Sequence, residues 1–116
     1  MSLKNKQIVQ RPWGKFERFT LDELTTVKII TVNPGESLSL QYHNKREEFW
    51  RILSGKGKCV IGEETIEIAK GDEFFIPKKT KHRMTAEKES VEWMEISFGK
   101  FEEEDIVRLE DKYKRV

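Results

Sequence analysis

Four side chains in this sequence combine donor atoms and spacing that could hold a metal ion: Gln41, His43 and Glu48 within the stretch Gly35 to Gly55, and His82 far down the chain. Gln41 and His43 are two residues apart, so on a strand their side chains leave the same face. The polar turn Asn44-Lys45-Arg46-Glu47 follows, and the segment from Glu48 to Leu53 reads as a return strand antiparallel to the first. That hairpin would bring the Glu48 carboxylate back to the Gln41 and His43 face. His82 lies beyond a strand-like Phe-Phe-Ile-Pro run and a lysine-rich turn. A lone strand histidine is ordinarily a hydrogen-bonded structural residue, but this chain has only 2 histidines and both fall where a nitrogen and oxygen donor set would need them. One amide oxygen, two imidazoles and one carboxylate suit a divalent Zn, Mn, Fe, Co or Ni ion. Such an ion polarises a carbonyl or hydroxyl oxygen as a Lewis acid.

The frame running from Gly35 through Gln41, His43 and Glu48 to Gly55 resembles the first cupin motif, with Gln in place of the usual first His. Gly71, Pro77 and His82 resemble the second, with Lys79 where many cupins have Gly and Ala86 where many have Asn. More closely, RPWGKFERF, LSLQYHNKREEFW, IPKKTKHR and DIVRLEDKYKR together resemble the cupin domain of type II mannose-6-phosphate isomerases, usually the C-terminal part of a bifunctional enzyme with mannose-1-phosphate guanylyltransferase. The ligand loop of that family is usually richer in histidine after the second ligand, whereas this chain has Asn44 and Lys45. The resemblance implies that Gln41, His43, Glu48 and His82 are ligands of one divalent metal, Zn foremost. It also implies interconversion of mannose 6-phosphate and fructose 6-phosphate through an enediol. Arg46 and Arg83 match motif residues of the family, Arg46 as a substrate-binding cation and Arg83 as a catalytic one. The alternatives are a metal- and sugar-binding cupin without turnover and, in third place, a cupin epimerase or oxygenase.

Aldose–ketose isomerisation needs a base to move a proton between C1 and C2, and Lys28 and Glu95 are the candidates because strand periodicity allows either to point inward. Strand lysines ordinarily face solvent. Arg11 and Trp13, in the rigid Arg-Pro-Trp-Gly entry, are the remaining substrate-binding candidates, Trp13 serving either as a core lid or as part of a sugar-facing wall.

The elements that must position these residues are short strands. Lys15–Thr20, Thr26–Val32, Lys58–Ile61, Thr65–Ile68, Glu73–Pro77, His82–Thr85 and Val91–Phe98 alternate or run apolar between turn signals such as Asn33-Pro34-Gly35. The pattern predicts an all-β fold, and the resemblance makes it a cupin double-stranded β-helix, a jelly-roll barrel. Only the tail differs. Ile106, Leu109 and Tyr113 recur at spacings of three and four behind the acidic run Glu102–Asp105, which predicts a short C-terminal helix.

Length and charge exclude several function classes. The 116 residues are expected to form a single cupin domain, residues 1–10 being a flexible or edge-pairing arm. With 22 Lys plus Arg against 21 Asp plus Glu, the net charge of +1 gives a nucleic-acid partner no electrostatic footing. No apolar run approaches the ~18 residues of a membrane span, and the single Cys59 fits a reducing compartment, so a cytoplasmic protein is expected. The expected partners are a sugar phosphate or other small polar ligand and, through the apolar pairs Ile29-Ile30 and Val60-Ile61, a second copy in a homodimer.

Overall fold

The computed structural model describes residues 3–112. Its eleven strands are β1 (Gln7–Arg11), β2 (Gly14–Arg18), β3 (Thr25–Val32), β4 (Leu40–Tyr42), β5 (Glu48–Ser54), β6 (Gly57–Ile61), β7 (Glu64–Ile68), β8 (Glu73–Ile76), β9 (His82–Ala86), β10 (Val91–Phe98) and β11 (Val107–Glu110). Two sheets carry the site, one in the order β3-β10-β5-β8 and one in the order β11-β4-β9-β6-β7, while β1 and β2 pair only with each other. No helix among the described residues is long and apolar enough to cross a membrane.

Alternation decides what lies between the two sheets. Along β10, Val91, Trp93 and Glu95 turn inward, and along β5 so do Glu48, Trp50 and Ile52. Trp50 and Trp93 are fully buried, their ring centroids 5.2 Å apart, and with Val32, Ile52, Ile76 and Met84 they form the inner core. Truncating either ring to alanine would cost about 3–5 kcal/mol. The opposite face of the same sheet is also covered, because Leu3 and Phe19 from the N-terminal segment pack on Phe49 and Ile96. Cys59 sits in the inner core, and burial pushes its thiol up to about 11, so it is inert at neutral pH.

Two expectations are corrected. The segments holding His43 and Glu48 do not form a hairpin: β4 pairs with β9 and β11, whereas β5 pairs with β8 and β10 in the other sheet. The turn instead crosses between sheets, and the backbone amides of Asn44 and Lys45 are taken by the Asp105 carboxylate. The C-terminal helix is replaced by a turn at Glu103–Glu104 and the strand β11 on the edge of β4; Tyr113 lies outside the described residues. Ladder bonds to a free sheet edge, together with the use of Asp105 on a distant turn, outweigh the three-residue spacing of Ile106 and Leu109.

Lys79, at a position where many cupins carry Gly, has a left-handed backbone with φ 63°, and its amide donates to the His43 carbonyl at 2.7 Å. A non-Gly residue there costs about 1–2 kcal/mol, against roughly 0.5–1 kcal/mol of entropy that Gly would lose on folding. Lys79→Gly should therefore hold or raise the melting temperature, while the same change at the exposed neighbour Lys78 should lower it; a drop at Lys79 matching that at Lys78 would contradict the account.

Candidate metal centre

His43 leaves the chain just after β4, His82 opens β9 beside it, and Glu48 opens β5 in the facing sheet. The carboxylate bridges the two imidazoles: Glu48 Oε2 is 3.4 Å from His43 Nε2 and Glu48 Oε1 is 3.7 Å from His82 Nε2. All three side chains are buried, and their donor atoms lie within 4.8 Å of one another. Each imidazole is oriented from behind. His43 Nδ1 donates to the Asp105 carbonyl at 2.6 Å, and His82 Nδ1 donates to the Thr80 carbonyl at 2.9 Å. This turns both Nε2 lone pairs toward Glu48, that of His43 also accepting from Arg46 Nη2 at 3.4 Å, and such backing is how metal-binding histidines are generally oriented. Burial pushes both imidazoles below their ordinary value despite the Glu48 charge, so they stay neutral, as ligands must. Gln41 lines the same cavity and spends its amide nitrogen on Ser39, at 3.0 Å from the hydroxyl and 3.3 Å from the carbonyl, which leaves Oε1 for the cavity. Converging acceptors on buried side chains fit a divalent cation.

The cavity above these groups has a volume of about 190 Å³. One wall is the row Arg108, Gln41, His82 across β11, β4 and β9; the other is the row Lys28, Glu95, Trp50 across β3, β10 and β5. Glu95 is buried and accepts a hydrogen bond from Trp50 Nε1 at 3.1 Å. Burial and the adjoining Glu48 charge push its carboxyl up to about 8, so it holds a proton at neutral pH. For Glu48, burial alone would also raise the value, but His82, His43, a hydrogen bond from Glu95 and Arg46 outweigh it and hold this carboxyl low.

Of the residues singled out in the sequence, Gln41, His43, Glu48, His82, Arg46, Lys28 and Glu95 all line the cavity. Lys28 is half-buried rather than solvated, its ammonium 4.1 Å from the centre of the Phe101 ring. Arg83 does not line the cavity: alternation along β9 turns it away from His82, and it pairs with Glu110 at 3.2 Å on the outer face. Arg11 and Trp13 sit on the β1–β2 hairpin outside the cavity lining, and Trp13, 73% exposed, is not a core lid. Three residues went unrecognised in the sequence: Phe101, Asp105 and Arg108. Asp105 looked like helix N-terminal charge, yet its carboxylate clamps the amides of Asn44 and Lys45 at 2.8 and 3.0 Å while its carbonyl orients His43. Those amide bonds outweigh burial and hold the Asp105 carboxyl below its usual range. The motif Asp-Ile-Val-Arg was a sufficient signal for Asp105 and Arg108 had the segment been read as a strand.

Two facing antiparallel sheets with a His, Glu, His centre between them define a cupin. A cupin protein from Bacteroides fragilis superposes with a TM-score of 0.61 at 26% identity, covering 88% of this chain and 86% of that one. Within that class, the chain belongs to the family described as mannose-6-phosphate isomerase C-terminal, whose model matches residues 1–111. It is 38% identical over 109 residues to the xanthan biosynthesis protein XanB of Xanthomonas campestris, covering 92% of this chain and 23% of that protein. It is 37% identical over 110 residues to the mannose-1-phosphate guanylyltransferase ManC of Salmonella typhimurium, covering 93% and 23% respectively. The chain thus spans about a quarter of the length of the curated relatives it matches.

His82→Ala and Glu48→Ala should each weaken binding of Zn or Mn by a factor on the order of 10 to 100 or more, and Asp105→Ala, which touches no ligand atom site except through His43 and the turn, should weaken it by roughly ten-fold or more. Titration against a competing chelator measures this. Unchanged affinity in His82→Ala and Glu48→Ala would remove the site.

Proposed function

We propose that Gln41, His43, Glu48 and His82 hold one divalent metal, Zn in the first instance and Mn, Fe, Co or Ni as alternatives, and that the chain interconverts mannose 6-phosphate and fructose 6-phosphate. The observation that carries the reading is the buried His43, Glu48, His82 group at the base of a cavity lined by cations, in a chain of this family. When bound, the ion supplies Lewis acidity toward the sugar's carbonyl and hydroxyl oxygens.

The protein groups supply the rest. Glu95, directly opposite Lys28 across the β3–β10 ladder, lines the cavity, and with its carboxyl up at about 8 it is the ionised fraction that takes the proton from one of C1 and C2 and returns it to the other. Lys28 adds a cation where negative charge develops on the sugar oxygens. Arg46 is held by Glu48 at 3.2 Å and by the Glu102 carbonyl at 3.1 Å, so it fixes the metal-binding carboxylate as well as lending charge to the cavity. The rings of Trp50 and Phe101 form an apolar part of the cavity lining. A reducing, cytoplasmic setting agrees with a single unpaired Cys59.

Metal-loaded protein should convert mannose 6-phosphate to fructose 6-phosphate, chelation should abolish this, and added Zn, Mn or Co should restore it. Glu95→Gln should lower kcat by about 100-fold or more with little change in KM, whereas Arg83→Lys should stay within about two-fold of the parent. A metal-loaded preparation that binds the sugar phosphate but forms no ketose over hours would instead establish a binding protein without turnover.

A homodimer is the second part of the proposal. Leu24, Val27 and Ile29 are exposed on and beside the edge strand β3, and Ile8 and Phe16 are exposed on the β1–β2 hairpin. Open edges with apolar side chains invite a second copy. Light scattering at tens of micromolar should give about twice the chain mass of 13.8 kDa, and a monomer would refute the dimer.

A further inference from the structure

We propose that Arg108 is the anion anchor of this cavity, receiving the phosphate group of the ligand and so selecting phosphorylated over free sugars. The proposal rests on the reading above for the sugar itself, but not for turnover.

Three cationic side chains line the cavity, and they are not equivalent. Arg46 is committed to the protein: Nε donates to Glu48 Oε2 at 3.2 Å, and Nη1 donates to the carbonyls of Glu102 and Asp105 at 3.1 and 3.4 Å. Lys28 rests over the Phe101 ring and directly opposite Glu95. Arg108 has no such commitment. Its Nε is buried without a hydrogen-bond partner among the described residues. A buried donor left unpaired costs about 1–3 kcal/mol, and of the buried side-chain donors left so, Arg83 Nε, Trp93 Nε1, Ser97 Oγ and Arg108 Nε, only the last belongs to a residue lining the cavity.

The strand that carries Arg108 also removes its obvious counter-ion. Arg108 stands opposite Gln41 in the β11–β4 ladder, and the register shifts between Arg108 and Glu110. That irregularity re-aims the side chains on either side of it, as bulges beside functional sites do. Glu110 reaches Arg83 on the outer face at 3.2 Å, while Arg108 lines the cavity. Glu103 also lines it but is exposed at the rim, where solvent screens its charge. What remains at the cavity wall is a half-buried guanidinium whose Nε still needs an acceptor, opposite Gln41 in the ladder. The guanidinium fork matches the paired oxygens of a phosphate.

Calorimetry on the metal-loaded full chain tests this with mannose 6-phosphate, mannose and inorganic phosphate as probes. The parent should bind mannose 6-phosphate at least about 100-fold more tightly than mannose, and should bind inorganic phosphate. Arg108→Gln should cut that preference by roughly 10- to 100-fold while leaving mannose affinity and metal stoichiometry unchanged. Arg108→Lys should recover part of it, because a point charge replaces the fork incompletely. Should the glutamine variant not fold, Arg108→Met, which keeps the apolar stem, gives the same reading. A neutral variant that keeps the full preference for the phosphorylated sugar would overturn the proposal, as would a parent that binds phosphorylated and free sugar alike. Failure of turnover in a parent that shows the preference would count against the isomerase alone.

Discussion

The clamp that Asp105 places on the ligand loop is the constraint on which the rest of the centre depends. Two backbone amides at the start of the turn, Asn44 and Lys45, donate to its carboxylate, and the same residue's carbonyl receives His43 Nδ1. Those bonds hold the exposed first half of the turn, while Arg46 and the Glu47 carbonyl, bonded to Glu48, Glu102 and Phe98, hold the second. With them, the tautomer of His43 is set and the chain is delivered to Glu48 in the opposite sheet. Each such hydrogen bond to a charged group contributes about 1.5–3 kcal/mol, enough to hold a loop that has few apolar contacts of its own. The last strand thus belongs to the site. It both fixes the histidine and, one turn of the ladder later, lines the cavity with Arg108.

Assembling a centre from two sheets rather than one hairpin has an energetic logic. The imidazoles and the carboxylate approach from opposite walls, so the Glu48 carboxylate is flanked by His43, His82, Arg46 and Trp50 Nε1 rather than by apolar side chains alone. A carboxylate this deep would otherwise cost several kcal/mol to desolvate. The Trp50 and Trp93 pair immediately behind supplies the dry backing that makes each of those contacts stronger than it would be in water.

Much of this was legible in the sequence, and the failures have definite physical causes. That Gln41, His43, Glu48 and His82 come together at one cavity could be read because strand alternation keeps Gln41 and His43 on one face and the cupin frame spaces the other two. Glu95 and Lys28 could be named as inward candidates, but the direction of a strand's faces depends on which side meets a second sheet, and periodicity alone does not carry that. The same ambiguity placed Arg83 beside His82 in sequence and on the opposite face in space. The helix assigned to Glu102–Tyr113 failed for a different reason: a local charge and spacing pattern was overruled by a sheet edge that only the tertiary structure supplies. The pairing of β4 with β9 and β11 rather than with β5 is likewise a long-range choice. A four-residue polar turn does not distinguish a hairpin from a crossing between sheets.

The two buried acids show how the neighbours of a group, more than its depth, decide what it can do. Burial acts on Glu48 and Glu95 in the same direction, raising both. Glu48 faces two imidazoles and a guanidinium, and these outweigh burial and keep it ionised. Glu95 faces that very charge; the Trp50 hydrogen bond and Lys28 only partly offset it, so its carboxyl remains protonated to about 8. The first acid therefore suits a cation and the second suits a proton, although both belong to one sheet and neither is exposed. Environments that push neighbouring acids apart in this way separate an electrostatic role from a proton-carrying one. Here the separation follows from strand order, since β10 lies between β3 and β5 and presents Glu95 to Lys28 on one side and to Trp50 on the other.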